Sequence, residues 1–124
     1  MNEEKRIPES ELKIMQIIWH NETPISRTAI EACIAKEKAL ASTTILTLLS
    51  RLCEKGFLNV TKVGKSNMYE PIISEREYLA SESRNIFQSL YGGSVSAFVT
   101  ALCDSGVSKD DLDELRDMLE KGEL

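Results

Sequence analysis

The sequence predicts a mainly α protein in two parts: three helices closed by a small β-hairpin, then a helical C-terminal half. Three observations predict it. Apolar residues recur at helical spacing in three N-terminal segments. Between residues 57 and 72 the period changes to two β-rich runs around a Gly-Lys-Ser-Asn stretch. Beyond residue 73 the helical period returns behind capping signals, and acidic charge gathers there.

The first helix is expected from about Glu9 to His20. Leu12, Met15, Ile18 and Trp19 form its stripe, Ile14 and Ile17 widen it, and Glu9 and Glu11 suit a positive helix N-terminus. Asn21-Glu22-Thr23-Pro24 breaks the pattern, because proline cannot continue a helix, and Ile25 adds a short extended piece. Ser26 is an N-cap for a second helix reaching Lys36 or Lys38, with Ala29, Ile30, Cys33 and Ile34 on its apolar face. A polar connection, Lys36 to Leu40, leads to a third helix that starts near Ala41 or Ser42 and stops at Gly56. Ile45, Leu48, Leu49 and Leu52 form its buried stripe. Phe57–Val63 and Met68–Ile72 read as the strands of a hairpin, with Gly64-Lys65-Ser66-Asn67 between them.

Helix, helix, helix and hairpin, with a short link between the second and third helices, make a winged helix-turn-helix. In such a unit the third helix enters the major groove of DNA and the hairpin is the wing. The expected domains are therefore 1–72, a winged-helix DNA-binding domain, and 73–124, a helical dimerisation domain.

In the second part, Ser74-Glu75-Arg76-Glu77 is a capping box for a helix ending at Tyr91 before Gly92-Gly93. A short helix follows from Ser94 to about Asp104, and Ser108-Lys109-Asp110-Asp111 opens the last one. Each helix has one strong apolar stripe, and about 50 residues bury such stripes poorly alone. A second copy of the chain is expected to complete the core; the alternative is that these helices fold back onto the N-terminal domain of the same chain. The expected dimer interface comprises Leu79, Ile86, Phe87, Leu90, Phe98, Val99, Leu102, Leu112, Leu115 and Leu119.

The net charge is −5, which by itself argues against a nucleic-acid partner. Its distribution reverses that argument. Residues 1–71 hold ten Lys/Arg and nine Asp/Glu, whereas residues 72–124 hold five and eleven, so the acidity sits in the second part. At about 100° per residue, Thr43, Thr47, Ser50, Arg51 and Glu54 of the third helix lie opposite its apolar stripe. Ser42, Thr43 and Thr44 occupy the first turn, the part of a recognition helix that usually reaches base edges. Leu46 flanks this face, as an apolar base contact or as boundary packing. Lys62 and Lys65 place cations on the wing for phosphates. The expected DNA-binding set is Ser42, Thr43, Thr44, Thr47, Arg51, Lys62 and Lys65, and the expected partner is a double-stranded DNA operator. The alternative is a winged-helix protein-interaction module that never touches DNA, motivated by the overall negative charge.

Other chemistry has little to build on. His20 is the only histidine and sits at a helix end, where it reads as a capping or solvated residue, and no enzyme activity is expected. Cys33, Cys53 and Cys103 lie far apart without a CxxC pair, so neither a thiolate metal site nor a disulfide framework is expected. No cofactor is implied. Without an N-terminal apolar run, or the roughly 18–20 apolar residues that span a bilayer, the expected location is the cytoplasm, with no membrane insertion.

Three segments carry a family resemblance. They are Ser10 to Trp19, Thr43 to Gly56, and the wing around Gly64-Lys65 with Tyr69 and Pro71; Glu77 to Ser83, Leu90 to Ser94 and Leu112 to Arg116 extend it. Together they resemble the penicillinase-repressor family (BlaI/MecI/CopY) over nearly the whole chain. The resemblance implies a homodimer with two winged helices and an interlocked helical dimerisation region. It implies repression at a palindromic operator controlling β-lactam-resistance-type or other stress genes, with Thr43, Thr44, Thr47, Arg51 and Lys65 facing DNA. In the β-lactam branch a membrane sensor protease acts upstream and the repressor is cleaved at an Asn-Phe pair; Thr100-Ala101 stands there in this chain. Copper-responsive members carry a C-terminal CxC cluster, whereas this chain ends Glu120-Lys121-Gly122-Glu123-Leu124.

Overall fold

The computed structural model describes residues 6–36 and 40–122. Its elements run α1 (Glu9–Trp19), β1 (Ile25–Ser26), α2 (Arg27–Ala35), α3 (Ser42–Glu54), β2 (Leu58–Val63), β3 (Ser66–Pro71), α4 (Glu75–Tyr91), α5 (Val95–Asp104) and α6 (Lys109–Lys121). The mainly α fold with a hairpin wing is the one expected. Most of the predicted polar connection after Lys36 falls at 37–39, outside the described residues, as do the last two positions.

Each boundary has a local cause. Ser26 Oγ accepts a hydrogen bond from the Ala29 N–H at 3.1 Å and caps α2. Gly56 follows α3 with φ +89°, a left-handed backbone that a side chain disfavours. The capping box of α4 is reciprocal: the Glu77 N–H donates to Ser74 Oγ and the Ser74 N–H to Glu77 Oε1, both at 3.0 Å. Ser94 Oγ and Ser108 Oγ cap α5 and α6 by accepting from the Ala97 and Asp111 N–H groups, both at 3.0 Å.

The hairpin turn is tighter than expected. Val63 pairs with Ser66 and Lys62 with Asn67, so only Gly64 and Lys65 form the loop. Gly64, at φ +63°, supplies the bend, which leaves Ser66 and Asn67 free to join the ladder. The short extended piece at Ile25 is a real strand: β1 pairs antiparallel with β3, giving the sheet order β1-β3-β2.

The chain divides into two compact units, Met1–Glu82 and Ser83–Leu124. The first is built on one core. Ile14, Met15 and Ile18 of α1 meet Ile30 of α2 and Ile45, Leu49 and Leu52 of α3, with Leu58 and Tyr69 from the sheet. Tyr78 of α4 joins this core. Its ring lies against Trp19 and edge-on to Phe57, and its hydroxyl accepts from the Ile7 N–H at 2.9 Å. The first unit therefore runs past residue 72, because the opening turns of α4 pack as part of it. Trp19 Nε1 donates to the Ile73 carbonyl at 2.9 Å, and His20 Nε2 lies 3.0 Å from Glu75 Oε2 at the same junction. Arg6 also pairs with Glu82.

Glu11 departs from its expected role. It is 2% exposed and receives a 2.9 Å hydrogen bond from Lys55 Nζ, so it ties α1 to the end of α3 instead of serving a helix dipole in water.

In the second unit, α5 and α6 bury none of their residues. Phe98 packs edge-on against Phe87 and Tyr91, with centroids 6.1 and 5.4 Å apart, yet stays 38% exposed. Leu90, Val95, Val99, Leu115, Met118 and Leu119 are exposed as well. Among the described residues, no single helix is long and apolar enough to cross a membrane.

Candidate nucleic-acid interface

The third helix is amphipathic in the sense a groove reader needs. Ile45, Leu48, Leu49 and Leu52 are buried against the core, which fixes the helix as a rigid rod. The opposite arc, Ser42, Thr43, Thr44, Leu46, Thr47, Ser50, Arg51 and Glu54, is exposed. Every predicted recognition residue of α3 lies on this arc.

Their hydrogen bonds differentiate them. Thr47 Oγ1 donates to the Thr43 carbonyl at 2.9 Å, so its hydroxyl hydrogen is already in use. Ser42 Oγ donates to Glu31 Oε2 at 3.0 Å, and Glu31 also pairs with Arg27 at 3.3 Å. Ser42 thus fastens the start of α3 to α2 while remaining on the exposed arc. Arg51 forms no ion pair among the described residues and keeps its whole guanidinium for a partner.

A second group forms at the wing. Lys62 of β2, Lys65 of the turn, and Ser66 and Asn67 of β3 line a polar cleft together with Arg27 and Thr28 at the start of α2. Three cations around hydroxyl and amide groups are the chemistry of a phosphate cradle. Lys62 and Lys65 were legible in the sequence; Arg27 and Thr28 were not singled out. Their signal was position: they follow the Ser26 cap, where helix N–H groups point outward.

The cysteines behave as packing residues. All three are free; Cys33 and Cys53 are half-buried, and Cys53 packs against the core. Burial, and then the Glu54 carboxylate, push the Cys53 thiol above its ordinary range, which keeps it protonated and unreactive near neutral pH. Among the described residues, no three His, Cys, Asp or Glu side chains are grouped to hold a metal ion.

A core-anchored helix with a free polar face, followed by a two-stranded wing with a cationic cleft, defines a winged-helix nucleic-acid-binding protein. The chain belongs to the penicillinase repressor family, whose model matches residues 7–121. It is 30% identical over 121 residues to the penicillinase repressor of Bacillus licheniformis, covering 94% of each chain. It is likewise 30% identical to the methicillin resistance regulatory protein MecI of Staphylococcus aureus strain N315, covering 97% of this chain and 98% of that one. Among solved structures it is similar to the DNA-binding domain of the repressor BlaI, with a TM-score of 0.51 and 35% identity over 60% of this chain and 93% of that one. It is also similar to Bacillus licheniformis BlaI solved as a monomeric form in complex with the blaP half-operator, with a TM-score of 0.50, 35% identity, and 60% and 89% of the two chains covered.

Proposed function

We propose that this protein is a sequence-specific DNA-binding transcriptional repressor that acts as a homodimer on a palindromic operator. The observation that carries this reading is the free face of α3, which presents Thr43, Thr44, Thr47 and Arg51 outward from a helix whose other side is the centre of the core. The wing adds Lys62 and Lys65, and Arg27 joins them at a cleft that suits a backbone phosphate. The family membership and the likeness to a repressor domain solved on a half-operator support the same reading.

Dimerisation is supported by the second unit. Leu90 is 71% exposed at the end of α4, and Leu119 is 54% exposed on α6, which buries none of its residues. A soluble protein rarely leaves such a surface in water, and a second copy covers it through Leu79, Ile86, Phe87, Phe98, Val99, Leu102, Leu112 and Leu115 in addition. The domain roles follow: residues 1–72 carry the reader, and residues 73–124 carry the partner surface. The protein works in the cytoplasm, where its operator is, and needs no catalytic group or cofactor. Its genes are of the β-lactam-resistance type or another stress class. By resemblance, a membrane sensor protease acts upstream; Thr100 and Ala101, at the place of the cleaved pair, lie within α5.

Fluorescence anisotropy tests the reading with a duplex from the DNA upstream of the protein's own gene and a scrambled duplex as control. Tight binding to the first with clear preference over the second is expected. Four cations per protomer, Arg27, Arg51, Lys62 and Lys65, predict a log–log salt slope of about −7 for a dimer. Absence of salt-dependent binding to any duplex would replace this reading with the protein-interaction module.

A further inference from the structure

The exposed arc of α3 contains one side chain that can neither donate nor accept a hydrogen bond. Leu46 is 37% exposed, whereas the four residues of the helix's inner stripe are at most 5% exposed, so Leu46 is not part of the core. A lone exposed leucine is ordinary on a protein surface. Its setting here is not. Its neighbours one turn away on the outer side, Ser42, Thr43 and Ser50, are all exposed and polar, and Thr47 stands beside it. Two of these hydroxyls already donate their hydrogens, Thr47 to the Thr43 carbonyl and Ser42 to Glu31. Thr47 is left with a methyl group and a lone pair to offer. The neighbours of Leu46 thus set the methyl groups of Thr43 and Thr47 beside it, with the hydroxyls of Ser42 and Thr47 already engaged.

From this we infer that Leu46 is a specificity-determining residue that reads thymine through its 5-methyl group. The inference rests on the proposed operator binding. In the major groove each base pair presents donors and acceptors, and the one apolar group is the C5 methyl of thymine. A leucine over the donors and acceptors of other bases leaves them without partners and without hydration, whereas over a thymine it has the C5 methyl group to bury. Leu46 therefore selects thymine in each half-site and disfavours cytosine, which lacks the methyl and exposes an amino group.

The test replaces thymines by deoxyuridine, one at a time, in a duplex that the full-length protein has itself selected from a random pool. Uracil pairs as thymine does and lacks only the methyl. In each half-site one position is expected at which uracil weakens wild-type binding about three- to tenfold, the effect of one buried methyl. In Leu46→Ala that penalty falls below about twofold while the salt slope matches the wild type. A wild-type scan with no sensitive thymine overturns the inference, and so does a penalty that survives in Leu46→Ala; the wild-type scan needs no variant and does not depend on folding. Both of these results leave salt-dependent, sequence-selective binding in place, so they contradict the role of Leu46 alone. Failure to select any duplex overturns the operator reading together with this one.

Discussion

Arg51 and Thr47 lie one turn apart on the same face of α3 and contribute differently. Arg51 is an exposed cation with no ion pair among the described residues, whereas Thr47 is bonded back to its own helix. Arg51→Ala is expected to weaken duplex binding by about 1–3 kcal/mol per half-site and, where the guanidinium meets a phosphate, to lower the dimer's salt slope by about two. The circular dichroism spectrum should not change, because the side chain supports nothing in the core. Anisotropy at three salt concentrations checks both effects; unchanged affinity would remove Arg51 from the interface. Which residues share this face was legible from periodicity alone. Which hydroxyls were free was not, because the partner of Ser42 is Glu31 of another helix, eleven residues away. Glu11 illustrates the same limit: next to a helix start it reads as a dipole partner, and only the tertiary fold brings Lys55 to it from 44 residues away.

At the scale of elements, that ion pair joins α1 to the end of α3 and so helps to set the reading helix on its support. Lys55 is one-third exposed and Glu11 is buried, so the two residues are unequal. Lys55→Met leaves a buried carboxylate without its partner and is expected to cost about 2–4 kcal/mol. The double variant Glu11→Leu/Lys55→Met removes both charges and should recover most of that loss. Urea unfolding at fixed protein concentration measures it; a double variant less stable than the single one would contradict the assignment. On the inner face, Leu49 is fully buried, and Leu49→Ala should lose about 2–5 kcal/mol in the same assay. Helix starts were the most legible elements, since a serine cap is a local signal that Ser26, Ser74 and Ser108 each obey. The wing turn was less legible. Four turn-forming residues stand in a row, and only strand register decides that Gly64 and Lys65 suffice.

For the whole molecule, a division at residue 72 follows from where the hairpin ends, yet the first compact unit extends to Glu82. Tyr78 explains the difference. It sits on a helix whose other apolar residues point to a dimer, but its ring belongs to the N-terminal core and its hydroxyl meets the Ile7 backbone. A stripe on a helix shows that something covers it, without showing what does, and for Tyr78 of α4 the cover is the N-terminal core. The expected dimer rests on the exposed leucines beyond this point. Leu119→Glu should sediment as a monomer near 13.9 kDa where the wild type sediments at twice that mass. Such a monomer should also bind an operator far more weakly, because one half-site contact no longer holds the other in place. A variant that stays dimeric would remove α6 from the interface.

The central claim is that two copies of this chain read two half-sites at once. Hydroxyl-radical footprinting on the selected duplex tests it most directly. Two protected patches related by a dyad, with centres one helical turn apart (about 34–36 Å) or a whole multiple of it, are the predicted result. A single patch, or protection without symmetry, would contradict it.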